Sequence, residues 1–119
     1  MKRFFLFILV TITFYTLVNA QSPTVFISGT VTNLANGSPI ANHQVIIRSD
    51  SSSGFSFYTT RMTGINGNYD CNIQNVPTTN AVIFFVSTLD CQNYLHMDTV
   101  SSIHPQNVVN FAICDNSGT

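Results

Sequence analysis

The chain predicts an all-β fold, a seven-stranded antiparallel Greek-key sandwich of Ig-like architecture. Three observations carry this expectation. Beyond residue 20 no apolar pattern of helical period runs for a useful length. Short stretches instead alternate apolar and polar residues with period two. Turn residues separate them at intervals of roughly 10–13 residues, the spacing of a two-sheet sandwich.

The N terminus reads apart from the fold. Lys2 and Arg3 precede an apolar run from Phe4 to Val18, and Val18-Asn19-Ala20 closes it. This is the pattern of a secretory signal peptide cleaved after Ala20, and the run is short for a membrane span. Residues 1–20 are therefore expected to be removed, leaving residues 21–119 as a single β-sandwich domain, secreted or held at the cell surface. No membrane insertion is expected after cleavage.

The elements follow in order. "TVFISGTVTN" sets Val25, Ile27, Gly29 and Val31 against Phe26, Ser28, Thr30 and Thr32. In "LANGSPIAN", Asn36-Gly37 is a hairpin-type dipeptide and Pro39 blocks strand pairing. "HQVIIRS" is the second strand and "DSSSG" a polar loop. "FSFYTTRM" is the third strand, with Phe55 and Phe57 on one face. In "TGINGNYDC", Gly64 and Gly67 supply the conformational freedom of a hairpin turn. One carboxylate, on the following strand, is too few for a calcium loop. "NYDCNIQ" is the fourth strand, with Tyr69, Cys71 and Ile73 inward. "AVIFFVSTL" is the most apolar run and reads as a central strand buried on both sides. "YLHMDTVS" is the sixth, with Leu95 and Met97 opposite His96 and Asp98. "IHPQN" turns it in a hairpin into "VVNFAIC", the seventh, with Val109, Phe111 and Ile113 on one face.

Composition excludes several functions. Without the signal the chain carries Arg48 and Arg61 against five aspartates, a formal charge of −3, and has no lysine or glutamate. A basic face for nucleic acid or for anionic membrane is absent. Schiff-base chemistry and glutamate acid–base pairs are absent with their residues. No G-x-S-x-G elbow occurs. His96 and Asp98, two apart on one strand, could join His43 or His104 around zinc, but no metal-ligand spacing recurs. No metal, cofactor or catalytic residue is expected.

Three cysteines remain, and export permits a disulfide. If the sixth and seventh strands form a hairpin, Cys91 at the start of one lies beside Cys114 at the end of the other, and the two bridge. Cys71 is then a small buried hydrophobe. Tyr58 and Tyr94 are candidate platforms for stacking on sugars, with Tyr69 a third, although the chain has no tryptophan. Asn36-Gly37-Ser38 matches a glycosylation sequon.

Some of these residues carry a resemblance. Gly29, Val31 and Thr32, then Gly37, Pro39, Ile40 and Val45, then Thr63, Gly67 and Tyr69 match the pattern G-x-V-T, G-x-P-[LI]-x-x-x-x-V, T-D-x-x-G-x-Y. That pattern is similar to the carboxypeptidase regulatory-like modules, which share a transthyretin-like (prealbumin-like) sandwich. Gly64 stands where those modules carry aspartate. The second half, with its "DCQN" turn, "TVSSIHPQN" and closing "FAIC", resembles extracellular modules of secreted and surface proteins of Bacteroidetes. The resemblance covers nearly all of residues 25–114. It implies a non-catalytic surface or accessory module with a structural or adhesion role, displaying "NLANGSPIAN", "SDSSSGF" and "IHPQN". Its partner would be an extracellular protein or polysaccharide. The alternatives are a small carbohydrate-binding module and a free secreted transthyretin-like carrier of a ligand or protein. The related collagen-adhesin B-type repeats use a Lys–Asn cross-link, which a chain left without lysine cannot form.

Overall fold

A computed structural model of the chain describes residues 23–115, so the expected signal peptide and its cleavage point lie outside the described residues. Eight strands follow one another: β1 (Thr24–Asn33), β2 (Gln44–Ser49), β3 (Tyr58–Met62), β4 (Asn68–Gln74), β5 (Ile83–Leu89), β6 (Leu95–Ser101), β7 (Gln106–Val108) and β8 (Phe111–Ile113). One sheet runs β4-β1-β7, with β8 continuing along the same edge of β1; the other runs β3-β2-β5-β6. The inward residues of both sheets meet in one apolar core that includes Val25, Ile27 and Val31 of β1, Cys71 and Ile73 of β4, Val45 and Ile47 of β2, and Phe84 and Val86 of β5. Period-two alternation does what it predicts in β1, β2, β4, β5 and β8, each of which sends one phase of its side chains into that core.

The strand count and the pairing differ from expectation. Eight strands replace seven, and the sheets are not wholly antiparallel, because β7 and β8 both pair parallel with β1. Their register on β1 is continuous. Ser28 faces Val108 before the break and Val31 faces Phe111 after it. The expected seventh strand is thus one line of chain whose ladder is interrupted at Val109-Asn110.

The interruption has an identifiable cause. In a parallel ladder the Thr30 N–H would bond the Val109 carbonyl. That carbonyl instead accepts from the buried Tyr69 hydroxyl at 2.6 Å. Gly29, opposite Tyr69 in register, lies under the contact. A Cβ at Gly29 would overlap the Val109 carbonyl and stand 2.9 Å from the Tyr69 hydroxyl. The abandoned Thr30 N–H is taken by Asn110 Oδ1 at 2.9 Å. Burial, and secondarily the charge of Asp98, push the Tyr69 phenol well above its usual range, so it stays a donor.

The hairpins expected at residues 63–67 and through "IHPQN" are crossovers. β3 belongs to one sheet and β4 to the other, as do β6 and β7. Gly67 alone of the two turn glycines has positive φ, +74°, and a Cβ there would meet the Val31 carbonyl oxygen at 2.6 Å. Gly64 needs no such freedom. Asn36-Gly37 does make a tight turn: Gly37 has φ +75°, and both the Ser38 N–H and the Ser38 hydroxyl donate to Asn36 Oδ1. The chain folds back on β1 as far as Ile40, whose N–H bonds the Val31 carbonyl, and then crosses to the other sheet. Buried Thr63 fastens this crossover to the next. Its hydroxyl donates to the Ile40 carbonyl at 2.6 Å and accepts from the His43 N–H at 2.9 Å.

Cys91 and Cys114 form the expected disulfide, with Cα atoms 5.4 Å apart. The hairpin premise was mistaken but the endpoints were not. Cys91 opens the turn before β6 in one sheet and Cys114 follows β8 in the other, so the bridge staples sheet to sheet. "AVIFFVSTL" is central in its sheet but buried on one side. Phe84, Val86 and Thr88 are fully enclosed, whereas Leu89 on the other phase is exposed. Phe55 and Phe57 precede β3 rather than belong to it, and both rings meet the edge of Phe84.

Two stability outcomes follow. Tyr69→Phe strands the buried Val109 carbonyl and should cost about 1–3 kcal/mol in urea unfolding. Gly29→Ala, which drives a methyl into the same carbonyl, should cost more than Tyr69→Phe. A Gly29→Ala protein as stable as the parent would refute this account. Replacing both Cys91 and Cys114 by serine should remove about 3 kcal/mol, the chain-entropy value for a loop of about 24 residues. Intact mass before and after reduction checks the bridge directly.

Candidate functional site

The two outer faces differ in chemistry. On the β4-β1-β7 sheet the outward side chains include Asn68, Asp70, Asn72, Gln74, Ser28, Thr30 and Thr32, with Phe26 and Val108 the large apolar residues among them. On the β3-β2-β5-β6 sheet the register aligns three outward rows. One runs Tyr58, Arg48, Phe85, Thr99. The next runs Thr60, Ile46, Ser87, Met97. The third pairs Met62 with Gln44 on one side and Leu89 with Leu95 on the other. Met62, Leu89, Leu95 and Met97 are between 43% and 58% exposed. An aqueous face of this kind is a recognised marker of an interaction site.

β6 shows why the face is apolar. Leu95 and Met97 point outward, and the polar phase, His96 and Asp98, points toward the other sheet at its open flank. Over residues 95–98 the usual assignment of phases is inverted, whereas Val100 faces inward and packs on the core. Asp98 pairs with Val86 on the inner phase, and on the opposite edge Arg61 of β3 pairs with Val45 in the same way. Arg61 Nε donates across the flank to the Asp70 carbonyl at 3.1 Å. Inward-pointing charges are a recognised device for blunting sheet edges. The other sheet's outer edge, β7 and β8, is short and interrupted. Each device disfavours the pairing of copies through an open strand edge.

Arg48 is the charged residue of the apolar face. Its guanidinium lies 4.6 Å from the centroid of the Phe85 ring. No carboxylate among the described residues pairs with it. Stacking on an aromatic ring fixes a guanidinium while leaving its in-plane donors free.

The residues singled out in the sequence are dispersed. Tyr58 and Tyr94 are both about two-thirds exposed. They sit at diagonal corners of the sheet, three strand spacings (about 14 Å) apart across it and about 17 Å along it, and do not form one platform. Tyr69 is buried in the core. His43 Nε2 donates to the Leu89 carbonyl at 2.7 Å, and His96 Nε2 meets Asp90 Oδ2 at 2.9 Å. His104 lies in the loop between β6 and β7, at the other end of the sandwich. No group of three metal-ligating side chains assembles among the described residues. The three loops expected to be displayed for contact lie at both ends: "NLANGSPIAN" at one, "SDSSSGF" and "IHPQN" at the other. A cleft of about 450 Å³ opens at that second end between Pro23, Pro77, Ile103 and Pro105, and no titratable side chain lines it.

Family models give no match to this chain, and a search of curated proteins finds no significant relative.

The apolar face has no signature in any one strand, because register decides which phase of a strand meets water. Ile46, Leu95 and Met97 are apolar residues in the phase that the register turns to water.

Two residues away from this face give further outcomes. Asp90 accepts from His96 and from the backbone N–H groups of Gln92 and Tyr94, which hold its carboxyl below the ordinary value of 3.8. A depressed folded value stabilises the fold above the unfolded value and loses that contribution as pH falls through the folded one. Asp90→Asn should therefore lower the melting temperature at pH 7, and the gap to the parent should close below about pH 4. A gap that persists at pH 2 would contradict the assignment. The Cys71 thiol is buried and burial raises it above its usual range. Maleimide should label one thiol per chain in denaturant and none in the native protein.

Proposed function

We propose that this chain is a secreted or cell-surface, non-catalytic β-sandwich module with Greek-key connections, of the carboxypeptidase regulatory-like, transthyretin-related type. Its role is structural or adhesive, or that of an accessory binding domain. It engages its partner through the outer face of the β3-β2-β5-β6 sheet. The observation that carries the reading is that this face gathers exposed Met62, Leu89, Leu95 and Met97 beside Tyr58, whereas the other outer face is mainly hydroxyls and amides around Phe26 and Val108.

The matched residues support the structural part of this reading. Gly29 and Tyr69 make the joint to Val109, Gly67 lets β4 approach β1, and Thr63 fastens the two crossovers. They hold the scaffold and leave its surface free for contact. The disulfide between the sheets agrees with an oxidising, extracellular location. The alternative, a small carbohydrate-binding module, draws on Tyr58, exposed beside Arg48 on the same face.

The test compares the refolded domain with a Leu95→Asp/Met97→Asp variant that keeps its melting temperature. Both are immobilised and exposed to extracellular proteins and polysaccharides of the producing organism. At least tenfold less retention by the variant is expected. Equal retention would overturn the face as the binding surface.

A further inference from the structure

We infer that the occupant of the β3-β2-β5-β6 face is a protein segment that places a carboxylate against Arg48, rather than a second copy of this chain. This rests on the face being the binding surface, as proposed above.

The argument begins with charge. Arg48 is stacked on Phe85 with Tyr58 beside it in register, and its guanidinium has no carboxylate partner among the described residues. The rest of the aligned rows brings no acidic side chain: Thr60, Ile46, Ser87, Met97, Met62, Gln44, Leu89 and Leu95 are neutral, as are Ile83 and Ser101 beyond them, and the Asp50 carboxylate at the end of β2 is engaged by the Ser52 N–H. Two copies meeting through this face would each bury a guanidinium and supply no counter-ion. An uncompensated buried charge is strongly unfavourable, so a second copy is disfavoured. A partner that brings its own carboxylate turns that penalty into a bidentate, charge-assisted hydrogen bond, for which a flat and pre-oriented guanidinium is suited.

Composition then separates protein from polysaccharide. The centres of protein interfaces are enriched in aromatic residues, methionine and arginine and depleted in lysine and acidic residues. This face has Tyr58, Phe85, Met62, Met97 and Arg48. A sugar chain could use Tyr58 and Arg48 but would leave the methionines and leucines of the other two rows uncovered. An apolar segment covers them. The face measures about 14 Å across the strands and about 13 Å along them, the footprint of a single helix or extended segment rather than of a whole globular partner.

The experiment is a selection from a random 12-residue displayed peptide library on the refolded domain, with affinities then measured by titration. Enriched peptides should carry an aspartate or glutamate among apolar residues. Arg48→Gln should weaken them about tenfold or more. Changing the peptide carboxylate to its amide should weaken binding to the parent by a similar factor, and should have little further effect on Arg48→Gln. Arg48→Lys, which keeps the charge and loses the planar stack, should recover part of the loss. Peptides lost with Met97→Asp but indifferent to Arg48→Gln would overturn the carboxylate contact and leave the face standing. Peptides indifferent to both would overturn the face as well. A library that yields no enriched peptide, a concentration-dependent dimer abolished by Met97→Asp, or Arg48-dependent binding of uronate oligosaccharides would each overturn the proposed occupant.

Discussion

The fold turns on one hydrogen bond, from the Tyr69 hydroxyl to the Val109 carbonyl across the bare backbone of Gly29. Tyr69 belongs to β4, Gly29 to β1, and Val109 to the break between β7 and β8. The contact takes the Val109 carbonyl out of the β1 ladder, and the Asn110 side chain fills the vacancy at Thr30. The parallel line of chain is thereby pinned to β4 through the side of the sheet as well as to β1 along its edge. This matters because its two strands are short, and short parallel pairing is weak by itself. The disulfide anchors the far end of the same segment to the opposite sheet. Between the joint and the bridge, Phe111 and Ile113 are held over the core.

With the scaffold fixed in this way, its surfaces have distinct tasks. The flanks carry Arg61 and Asp98 in the inward phase, and the β7–β8 edge is interrupted, so the sheet edges are poor templates for another strand. The loops separate to two ends. What remains broad and flat is the face that includes Ile46, Leu95 and Met97. Leaving such residues in water costs solubility and offers no stability in an isolated domain. The inversion of phases in β6, polar toward the flank and apolar outward, is intelligible as blunting the edge and preparing the face in the same strand.

Much of this was legible in the sequence. The spans of "TVFISGTVTN" and "NYDCNIQ" coincide with β1 and β4, and the inward phases of both are as the alternation requires. The bridge was identified from its endpoints. What alternation does not encode is which strand lies beside which. A turn of four or five residues reads as a hairpin whether its two strands remain in one sheet or part to different sheets, since both are built from the same turn-forming and polar residues. The crossovers at 63–67 and 102–105 were therefore invisible, and with them the parallel pairing of β7 and β8. The break at Val109-Asn110 was hidden for a similar reason. It depends on a tyrosine and a glycine far away in sequence, each of which reads as an ordinary strand residue. The apolar face was missed because a sheet's outer phase is defined by register, and register requires the neighbours.

"TGINGNYDC" shows the same division between local and distant causes. Locally it is a glycine-containing turn with oxygen-bearing side chains. In the fold, Thr63 binds the preceding crossover, Gly67 admits the Val31 carbonyl, Tyr69 holds the last line of chain and Cys71 fills the core. Four of its nine residues thus serve four different contacts within the scaffold. Gly64 is the position where the resemblance to the regulatory-like modules fails, and it is also one whose backbone does not require glycine. A Cβ there would meet Asn68 Oδ1 at 2.9 Å, the tip of a side chain that can turn aside. The aspartate of the related pattern is therefore compatible with this backbone, and its absence bears on local polarity at the turn while leaving the joint that the other residues build intact.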